Sequence, residues 1–272
     1  MLSEFSLKGK KAIVTGGARI ELVSSPLKHE KYNSGLGLEI CRALAESGAD
    51  VALMYVSSDS THDTAAKIGE EFNVTCKAYK ADISDEKQTK DAIEQIHKDL
   101  GRIDVFVANA GISMNGNAET FAISDWKRLF DVNVHGVFYG VQAVSKYMLE
   151  QGSGSIILMS SVSAHLANQP QYQCAYNCTK ASVSMMGKCL AYEWGTRGVR
   201  VNSICPGYMA TDMLTQFTAK RPDLAAAWNS LNPMQRMGAP KEIKGAVVFL
   251  ASEASSFVTG TDLFVDGGYN AM

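Results

Sequence analysis

A tyrosine and a lysine stand four residues apart at Tyr176 and Lys180, and two serines, Ser160 and Ser161, precede them. Residues at i and i+4 share one face of a helix. A free tyrosine is a poor acid–base catalyst at neutral pH because its pKa is about 10, and an adjacent ammonium group lowers that pKa by stabilising the phenolate. A serine hydroxyl can then orient a substrate oxygen. These side chains therefore predict proton transfer at a carbonyl or alcohol oxygen.

Short β-branched runs alternate with amphipathic stretches along the chain. We predict strands at residues 11–15, 50–55, 74–80, 105–108, 155–159, 200–204 and 262–265, and helices at residues 37–47, 61–72, 86–100, 124–150, 175–194 and 241–251. This alternation indicates βαβ units with right-handed crossovers and a parallel sheet covered on both faces. The prediction is one α/β domain of the Rossmann type over residues 1–272, with a doubly wound parallel sheet of about seven strands.

The first strand is followed by a glycine-rich turn that could hold a phosphate. The sequence TGGAR (residues 15–19) ends the strand, and GLG (residues 35–37) opens the next helix. Glycines here, at Gly16, Gly35 and Gly37, let the backbone approach a pyrophosphate, and the helix N-terminus supplies N–H groups. Residues 20–34, a polar segment of 15 residues without helical periodicity, interrupt this turn.

Polar side chains near the ends of the strands and helices that follow this turn could contact a ligand or stabilise the local structure. Asp82 follows the third strand and could accept a hydrogen bond from an adenine amino group or cap the next helix. Asn109 follows the fourth strand, and the small residues Ala110 and Gly111 after it let a ligand lie across the sheet. Asn133 lies inside a predicted helix, where asparagine is unfavourable unless its side chain makes specific contacts.

The order of these motifs resembles that of the short-chain dehydrogenases/reductases over nearly the whole chain. The matching segments are TGGA with GLG, NAG from Asn109, NxxG from Asn133, SS before YxxxK, PGYMAT from Pro206, and SSFVTGTDLFVDGG near the C-terminus. The segment SSVSAHLANQPQ, followed by YNCTKA, further resembles fungal polyol dehydrogenases and ketose reductases, the mannitol dehydrogenase and sorbose reductase group.

The resemblance implies a role for each catalytic candidate. Tyr176 would be the general acid in carbonyl reduction, and Lys180 would lower the pKa of Tyr176 and hold the nicotinamide ribose. Asn133 would hold a water that links Lys180 to solvent. The family's usual serine-to-tyrosine spacing selects Ser163, 13 residues before Tyr176. Position at the end of the strand, and the longer loop of the fungal group, select Ser161, 15 residues before Tyr176, as the group that binds the carbonyl oxygen. We favour Ser161.

The same resemblance implies a nicotinamide dinucleotide cofactor. Asp82 and Asn109 would line its adenosine half, and the segment after the sixth strand would contact its nicotinamide half through Pro206, Gly207, Met209 and Thr211. The second strand ends in YVSS (residues 55–58), without the acidic residue that selects NAD by repelling a 2′-phosphate. Ser57 and Arg19 would suit a phosphate, so we predict NADP(H); the alternative is that the serines only form a turn.

We predict an NADPH-dependent reductase that transfers hydride to a ketone, with ketose–polyol interconversion favoured. Ser163, His165 and Tyr208 are candidate substrate contacts, and His165 and Tyr208 could equally be loop surface. One alternative is a carbonyl reductase of a secondary-metabolite pathway. Another, suggested by the interrupted glycine turn, is a catalytically weak dinucleotide-binding or sensor protein.

Composition and charge limit the partners, membrane segments and metal or disulfide sites that the chain can have. Lys and Arg total 26 against 28 Asp and Glu, a net charge of -2, which gives no electrostatic reason to expect nucleic acid or an anionic membrane as partner. The sequence shows no apolar run of the ~18 residues a membrane helix needs and no secretory or transit signal. Its 6 cysteines show neither metal-ligand spacing nor a disulfide framework. We expect a cytoplasmic enzyme without a metal, and the resemblance implies a homotetramer acting on a small carbonyl or alcohol substrate.

Residues 20–34 enter at the tightest turn of the predicted cofactor site. Removing them joins TGGAR to GLG and restores the family's phosphate-binding motif, which favours a translated intron or another gene-model error. The alternative is a genuine insertion that forms a flap over the cofactor or weakens its binding. In either case we expect the segment to be extruded as a poorly ordered loop and the fold to survive.

Overall fold

The computed structural model describes residues 2–17 and 35–271, so the expectations for Arg19 and for the segment 20–34 lie outside the described residues. The described strands form one parallel sheet in the order β3-β2-β1-β4-β5-β6-β7. Their bounds are β1 (Lys11–Thr15), β2 (Asp50–Tyr55), β3 (Cys76–Lys80), β4 (Val105–Ala108), β5 (Gly154–Met159), β6 (Val199–Pro206) and β7 (Asp262–Val265). The predicted fold class is confirmed.

Nine α-helices lie within the described ranges. Their bounds are α1 (Leu36–Glu46), α2 (Thr61–Phe72), α3 (Glu86–Leu100), α4 (Ile123–Phe130), α5 (Gly136–Gln151), α6 (Cys174–Trp194), α7 (Asp212–Lys220), α8 (Pro222–Ser230) and α9 (Lys244–Ala251). The last predicted helix starts as a 3-10 turn, Pro240–Ile243, before α9 begins. None of these helices is long and apolar enough to cross a membrane.

The core has two layers, one on each face of the sheet. Successive residues of a strand point to opposite faces, so Val14 of β1 packs with the cluster under α1 and α9, whereas Ile13 packs with the cluster under α5 and α6. Both side chains are fully buried. Burying such a residue contributes about 1.5–3 kcal/mol. The two apolar layers therefore hold the strand ends in fixed positions.

The strand order reverses between β1 and β4, which are neighbours although β2 and β3 intervene in the sequence. The helices that follow these two strands lie on opposite faces, so a crevice opens at their carboxyl ends. Ligands of open α/β sheets bind in such a crevice. The predicted glycine turn after β1 and the NAG segment after β4 both lie there.

The predicted helix over residues 124–150 is not continuous. One π-helical turn, Asp131–His135, separates α4 from α5. Asn133 lies in this turn and is completely buried. Such turns insert an extra residue into a helix and often occur at functional sites. The local sequence has ordinary helical periodicity, so the interruption was not predicted.

Candidate active site

Ser161, Tyr176 and Lys180 come together at the carboxyl edge of the sheet. Ser161 lies just after β5, and the other two residues lie on the first turns of α6. The ammonium nitrogen of Lys180 lies 5.7 Å from the centre of the Tyr176 ring and donates to the carbonyl oxygen of Met159 at 2.7 Å. The hydroxyl of Ser161 faces the phenol of Tyr176 and lowers the pKa of that phenol. The predicted set of side chains is therefore contiguous.

Burial is the largest cause of the pKa shifts of Tyr176 and Lys180. Burial raises the pKa of Tyr176 to about 12, and the hydroxyl of Ser161 opposes that shift. Burial also lowers the pKa of Lys180 to about 8. The expectation that Lys180 lowers the pKa of Tyr176 is therefore not met in this structure. The hydrogen bond of Lys180 goes to a backbone carbonyl, and removal of the phenol from water outweighs the nearby ammonium.

The two candidate serines have different partners. The Ser163 hydroxyl accepts a hydrogen bond from the amide of Gln173 at 3.0 Å, and that amide also donates to Asn168 and Asn177. Ser161 faces Tyr176, and its hydroxyl accepts from the backbone N–H of Ser163 at 3.1 Å. Ser163 thus belongs to the hydrogen-bond network of the β5–α6 loop, and the geometry favours Ser161 as the partner of the tyrosine.

Asn133 binds backbone and side-chain groups on two neighbouring segments. Its amide oxygen accepts from the backbone N–H of Ile112 at 2.8 Å, and its amide nitrogen donates to the carbonyl of Ile112 at 2.8 Å and to the hydroxyl of Thr179 at 3.1 Å. Both amide hydrogens are therefore used within the protein. The proposed contact to a water could use only the second lone pair of the oxygen.

Two residues around Lys180, Thr179 and Ser160, were assigned no role of their own from the sequence. Thr179 also donates its hydroxyl to the carbonyl of Tyr176 at 2.7 Å, so it joins the catalytic helix to Asn133. The hydroxyl of Ser160 donates to the carbonyl of Lys180 at 3.0 Å. Both lie inside the motifs that carry the resemblance, YNCTK and SS, and their side-chain hydroxyls were the available signal.

The two sides of the interrupted glycine turn meet in space. A Cβ on Gly37 would lie 2.0 Å from the carbonyl oxygen of Gly16, which no real structure tolerates. Gly16 has φ +67° and lies so close to Ala110 that a Cβ would be 2.9 Å from its Cα. Asn109 donates its side-chain amide to the carbonyls of Thr15 and Gly16 at 3.0 and 3.1 Å. The side chain of Asn109 therefore supports the turn.

A Cβ on Gly35 would meet no atom of the described residues within 4 Å, in contrast to one on Gly37. The required close approach thus concerns Gly16 and Gly37. Gly16 and Gly37 thus bring the backbone of the two sides of the turn together, with no side chain between them. That is the arrangement a pyrophosphate needs, because backbone N–H groups must come within hydrogen-bonding distance of its oxygens.

The candidates for the adenosine half lie at the ends of β2 and β3. The carboxylate of Asp82 accepts from the backbone N–H and the hydroxyl of Ser84 at 2.9 and 2.7 Å, whereas the cap of α3 is Asp85. The alternative that Asp82 caps the helix is therefore wrong, because Asp85 does so. Ser57 is exposed beyond β2. The nearest acid, Asp59, is an acceptor for the hydroxyl of Tyr55 at 3.2 Å and the ammonium of Lys80 at 3.3 Å.

The segment after β6 forms the opposite side of the crevice. Pro206 ends the strand, and Gly207 lies so close to Asp266 that a Cβ would be 2.9 Å from its Cα. Met209 is buried and bridges to Gly238 in parallel register. The hydroxyl of Thr211 caps α7 by accepting from the N–H of Leu214 at 3.4 Å.

Two candidate substrate contacts have partners within the protein. The hydroxyl of Tyr208 accepts from Gln171 at 2.6 Å, and its ring stacks on Trp228 of α8 with the centroids 4.5 Å apart. The ring of His165 packs on Phe264 of β7 with the centroids 5.0 Å apart. The predicted substrate contact of His165 is therefore not supported, because its ring is directed towards the edge of the sheet.

Comparison with known proteins agrees with this geometry. A family model described as enoyl-(acyl carrier protein) reductase matches residues 31–270. The chain is 39% identical over 270 residues to an NADP-dependent mannitol dehydrogenase of Hypocrea jecorina, covering 99% of this chain and 95% of that protein. It is 38% identical over 271 residues to a sorbose reductase of Candida albicans, covering 99% of this chain and 90% of that protein.

Solved structures show the same fold. A gluconate 5-dehydrogenase from Burkholderia cenocepacia in complex with NADP and tartrate matches with a TM-score of 0.89 and 32% identity, covering 100% of this chain and 99% of that one. An NADPH-dependent 3-quinuclidinone reductase from Rhodotorula rubra matches with a TM-score of 0.86 and 35% identity, covering 99% of this chain and 94% of that one.

Proposed function

Because the chain belongs to the short-chain dehydrogenase/reductase family, we propose that it is an NADP(H)-dependent oxidoreductase that interconverts a ketose and its polyol. The observation that carries the proposal is the contact set of Ser161, Tyr176 and Lys180 at the mouth of a crevice whose floor is bare backbone at Gly16 and Gly37. A crevice of this kind accepts a dinucleotide, and the side chains beside it supply proton transfer.

The residues present fit the cofactor. Gly16 and Gly37 let the two sides of the turn pack closely, because a Cβ at Gly16 would meet Ala110 and a Cβ at Gly37 would meet the carbonyl of Gly16. Exposed Ser57 would hold the 2′-phosphate, and Asp59, already bonded to Lys80 and Tyr55, would not repel it strongly. Pro206, Gly207, Met209 and Thr211 would face the nicotinamide half. When bound, the reduced cofactor supplies the hydride.

The chain's own residues would donate the proton to the substrate oxygen and replace it afterwards. Ser161 would donate a hydrogen bond to the ketone oxygen and hold it beside Tyr176. Tyr176 would give its phenolic proton to that oxygen as the carbon receives the hydride, so the ketone becomes an alcohol. Lys180 would stabilise the phenolate left behind and hold the nicotinamide ribose, and Asn133 would keep a water in reach of Lys180 for reprotonation. Alcohol oxidation reverses each step.

The polyol assignment rests on the relatives that are a mannitol dehydrogenase and a sorbose reductase. Ser163 and the amides of Asn168 and Gln171 in the β5–α6 loop form a polar layer with Tyr208, which follows β6, and this layer suits a polyhydroxylated substrate. A cytoplasmic location is part of the proposal, and the free cysteines support it, because thiols stay reduced in that compartment.

A homotetramer is part of the proposal. Helices α4, α5 and α6 expose large apolar side chains, Ile123, Trp126, Phe138, Met185 and Tyr192, the last at 91%. A monomer gains nothing from this exposure, and subunit contacts would cover it. Light scattering after size exclusion tests this point, and a monomer at micromolar concentration would contradict it.

The activity test follows NADPH oxidation with fructose, sorbose and a rigid bicyclic ketone. We expect turnover with a ketose and NADPH, and much less with NADH. Turnover with the bicyclic ketone alone would favour the carbonyl-reductase alternative. NADPH binding without turnover of any ketone would favour a weak or sensory dinucleotide-binding protein, and either result would overturn the proposal.

A further inference from the structure

Three potential metal ligands converge at the edge of the sheet, apart from the catalytic side chains. His165 follows the 3-10 turn after β5, Cys205 lies in β6 and Asp262 opens β7. Their ligand atoms all lie within 4.8 Å of one another. The imidazole Nε2 of His165 is 3.4 Å from an Asp262 oxygen and 3.8 Å from the Cys205 sulfur. These residues are far apart in the sequence, so no local spacing motif predicts that they come together.

The fold directs the three side chains to one place. Ser203 pairs with Asp262 and Cys205 pairs with Phe264, so Cys205 and Asp262 point to the same face of neighbouring strands. The ring of His165 packs on Phe264 of that face. Helix α6 covers the same face through Lys188. The cluster is therefore built from packed elements, with β7 as the edge strand of the described sheet.

Asp262 is the unusual member of this cluster. Its side chain is only 7% exposed, and neither carboxylate oxygen has a hydrogen bond of good geometry to any residue that the structure describes. Lys188 approaches one oxygen at 2.9 Å as an ion pair. A buried carboxylate is costly unless it is paired and hydrogen-bonded or coordinates a metal. Its oxygens point towards the imidazole and the thiol.

We propose that His165, Cys205 and Asp262 bind a single divalent ion of the zinc type. Imidazole, thiolate and carboxylate are the donors that Zn²⁺ takes, and ligand atoms about 2.0–2.3 Å from a tetrahedral ion lie some 3.3–3.8 Å apart. The distances from the His165 nitrogen to the Asp262 oxygen, 3.4 Å, and to the Cys205 sulfur, 3.8 Å, are in this range. On binding, the cysteine thiol loses its proton to solvent, and a thiolate and a carboxylate neutralise the two positive charges. Water completes the tetrahedron.

Lys188 competes with the ion in this arrangement. Its ammonium group occupies the side of Asp262 that a cation would take, but its side chain is 46% exposed and can turn towards solvent. The bound ion would join the loop after Ser161 to β6 and β7. Loading should therefore raise the thermal stability of the protein, independently of whether it reduces ketoses.

The test is a titration of reduced, untagged protein with Co²⁺, whose thiolate complexes have a charge-transfer absorption band. We expect one Co²⁺ per chain, a band displaced by Zn²⁺, and a higher Tm with Zn²⁺. Cys205→Ser should abolish the band, and His165→Asn should weaken binding by at least about tenfold. Lys188→Met should strengthen it. Cys189→Ser, at an exposed cysteine of α6, should change nothing.

Two results would overturn the site. One is the absence of a cobalt–thiolate band in the unaltered chain. The other is a band that survives Cys205→Ser but disappears in a Cys174→Ser, Cys178→Ser double variant, which would place the ion at the exposed pair on α6. His165 is largely accessible, so His165→Asn still decides the question if Cys205→Ser impairs folding.

Discussion

The ammonium nitrogen of Lys180 lies 5.7 Å from the centre of the Tyr176 ring, and its hydrogen bond goes to the carbonyl oxygen of Met159. Lys180 is thus a nearly buried cation close to the half-buried side chain of Tyr176. Burial favours the neutral form of each group, lowering the pKa of Lys180 to about 8 and raising that of Tyr176 to about 12. Tyr176 therefore keeps its proton at neutral pH, and Lys180 releases its proton more readily than an exposed lysine does.

The pH dependence of the free energy of unfolding tests whether the pKa of Lys180 is lowered in the folded protein. The pKa of Lys180 is lower in the folded protein than its ordinary 10.5, so between pH 8 and 10.5 the unfolded chain binds more protons and the free energy of unfolding rises with pH. The raised pKa of Tyr176 makes the free energy of unfolding fall with pH, but only above pH 10. Relative to Lys180→Met, the unaltered protein should gain about 2 kcal/mol between pH 8 and 10. Denaturant unfolding at each pH measures this change in the free energy of unfolding.

Lys146→Met, at an exposed lysine of α5, is the matched control and should run parallel to the unaltered protein. Equal pH profiles for Lys180→Met and the unaltered protein would show that Lys180 titrates normally and that its burial does not matter.

The glycine turn can be tested with a pair of alanine variants. Gly37→Ala places a Cβ against the carbonyl of Gly16, so the turn must shift and its N–H groups leave the phosphates. A misplacement of about 1 Å can cost roughly 100-fold, so NADPH affinity should fall by about 10- to 100-fold. Fluorescence titration of NADPH measures it. Gly35→Ala meets open space and should bind as before; equal affinities for the two variants would refute this account of the turn.

The choice between the serines can be decided by single-hydroxyl deletions. Ser161→Ala removes the hydroxyl that faces Tyr176 and would donate to the ketone oxygen, so kcat should fall by about 100- to 1000-fold, as for loss of one oxyanion donor. Ser163→Ala removes an acceptor of Gln173 and should lower kcat less than about tenfold. The reverse ranking in steady-state assays would identify Ser163 as the catalytic serine.

Removal of residues 20–34 joins the two sides of the glycine turn. Gly37 already packs against Gly16, so the described flanks are positioned as a continuous turn would require. We expect the shortened chain to bind NADPH more tightly than the full chain. Equal affinities would mean that the segment is accommodated, and transcript reads that always contain its coding sequence would rule out a translated intron.

Much of the sheet could be predicted because its strands are buried runs with clear boundaries. The predicted bounds of β1, β2, β4 and β7, and of α2 and α3, agree with the structure. The helices α7 and α8 were missed because each is short and mostly half-exposed, so neither has a long apolar stripe.

The site was predictable where a motif carries its own geometry. Tyr176 and Lys180 share a helix face whatever surrounds them. Other features depend on contacts between distant segments. The hydrogen bonds of Asn133 to Ile112 and Thr179, and the direction of the His165 ring, arise only when the sheet is assembled. The balance of burial against charge at Tyr176 likewise depends on packing that periodicity does not show.

The most direct test of the central claim is single-turnover reduction of fructose or sorbose by the NADPH complex of Tyr176→Phe beside the unaltered protein. The variant keeps the aromatic ring and loses only the proton donor that faces Ser161. The account predicts unchanged NADPH affinity and a hydride-transfer rate reduced by at least about 1000-fold, since general acid catalysis contributes about 100- to 10,000-fold. An unchanged rate would contradict the account, because Tyr176 would then not deliver the proton.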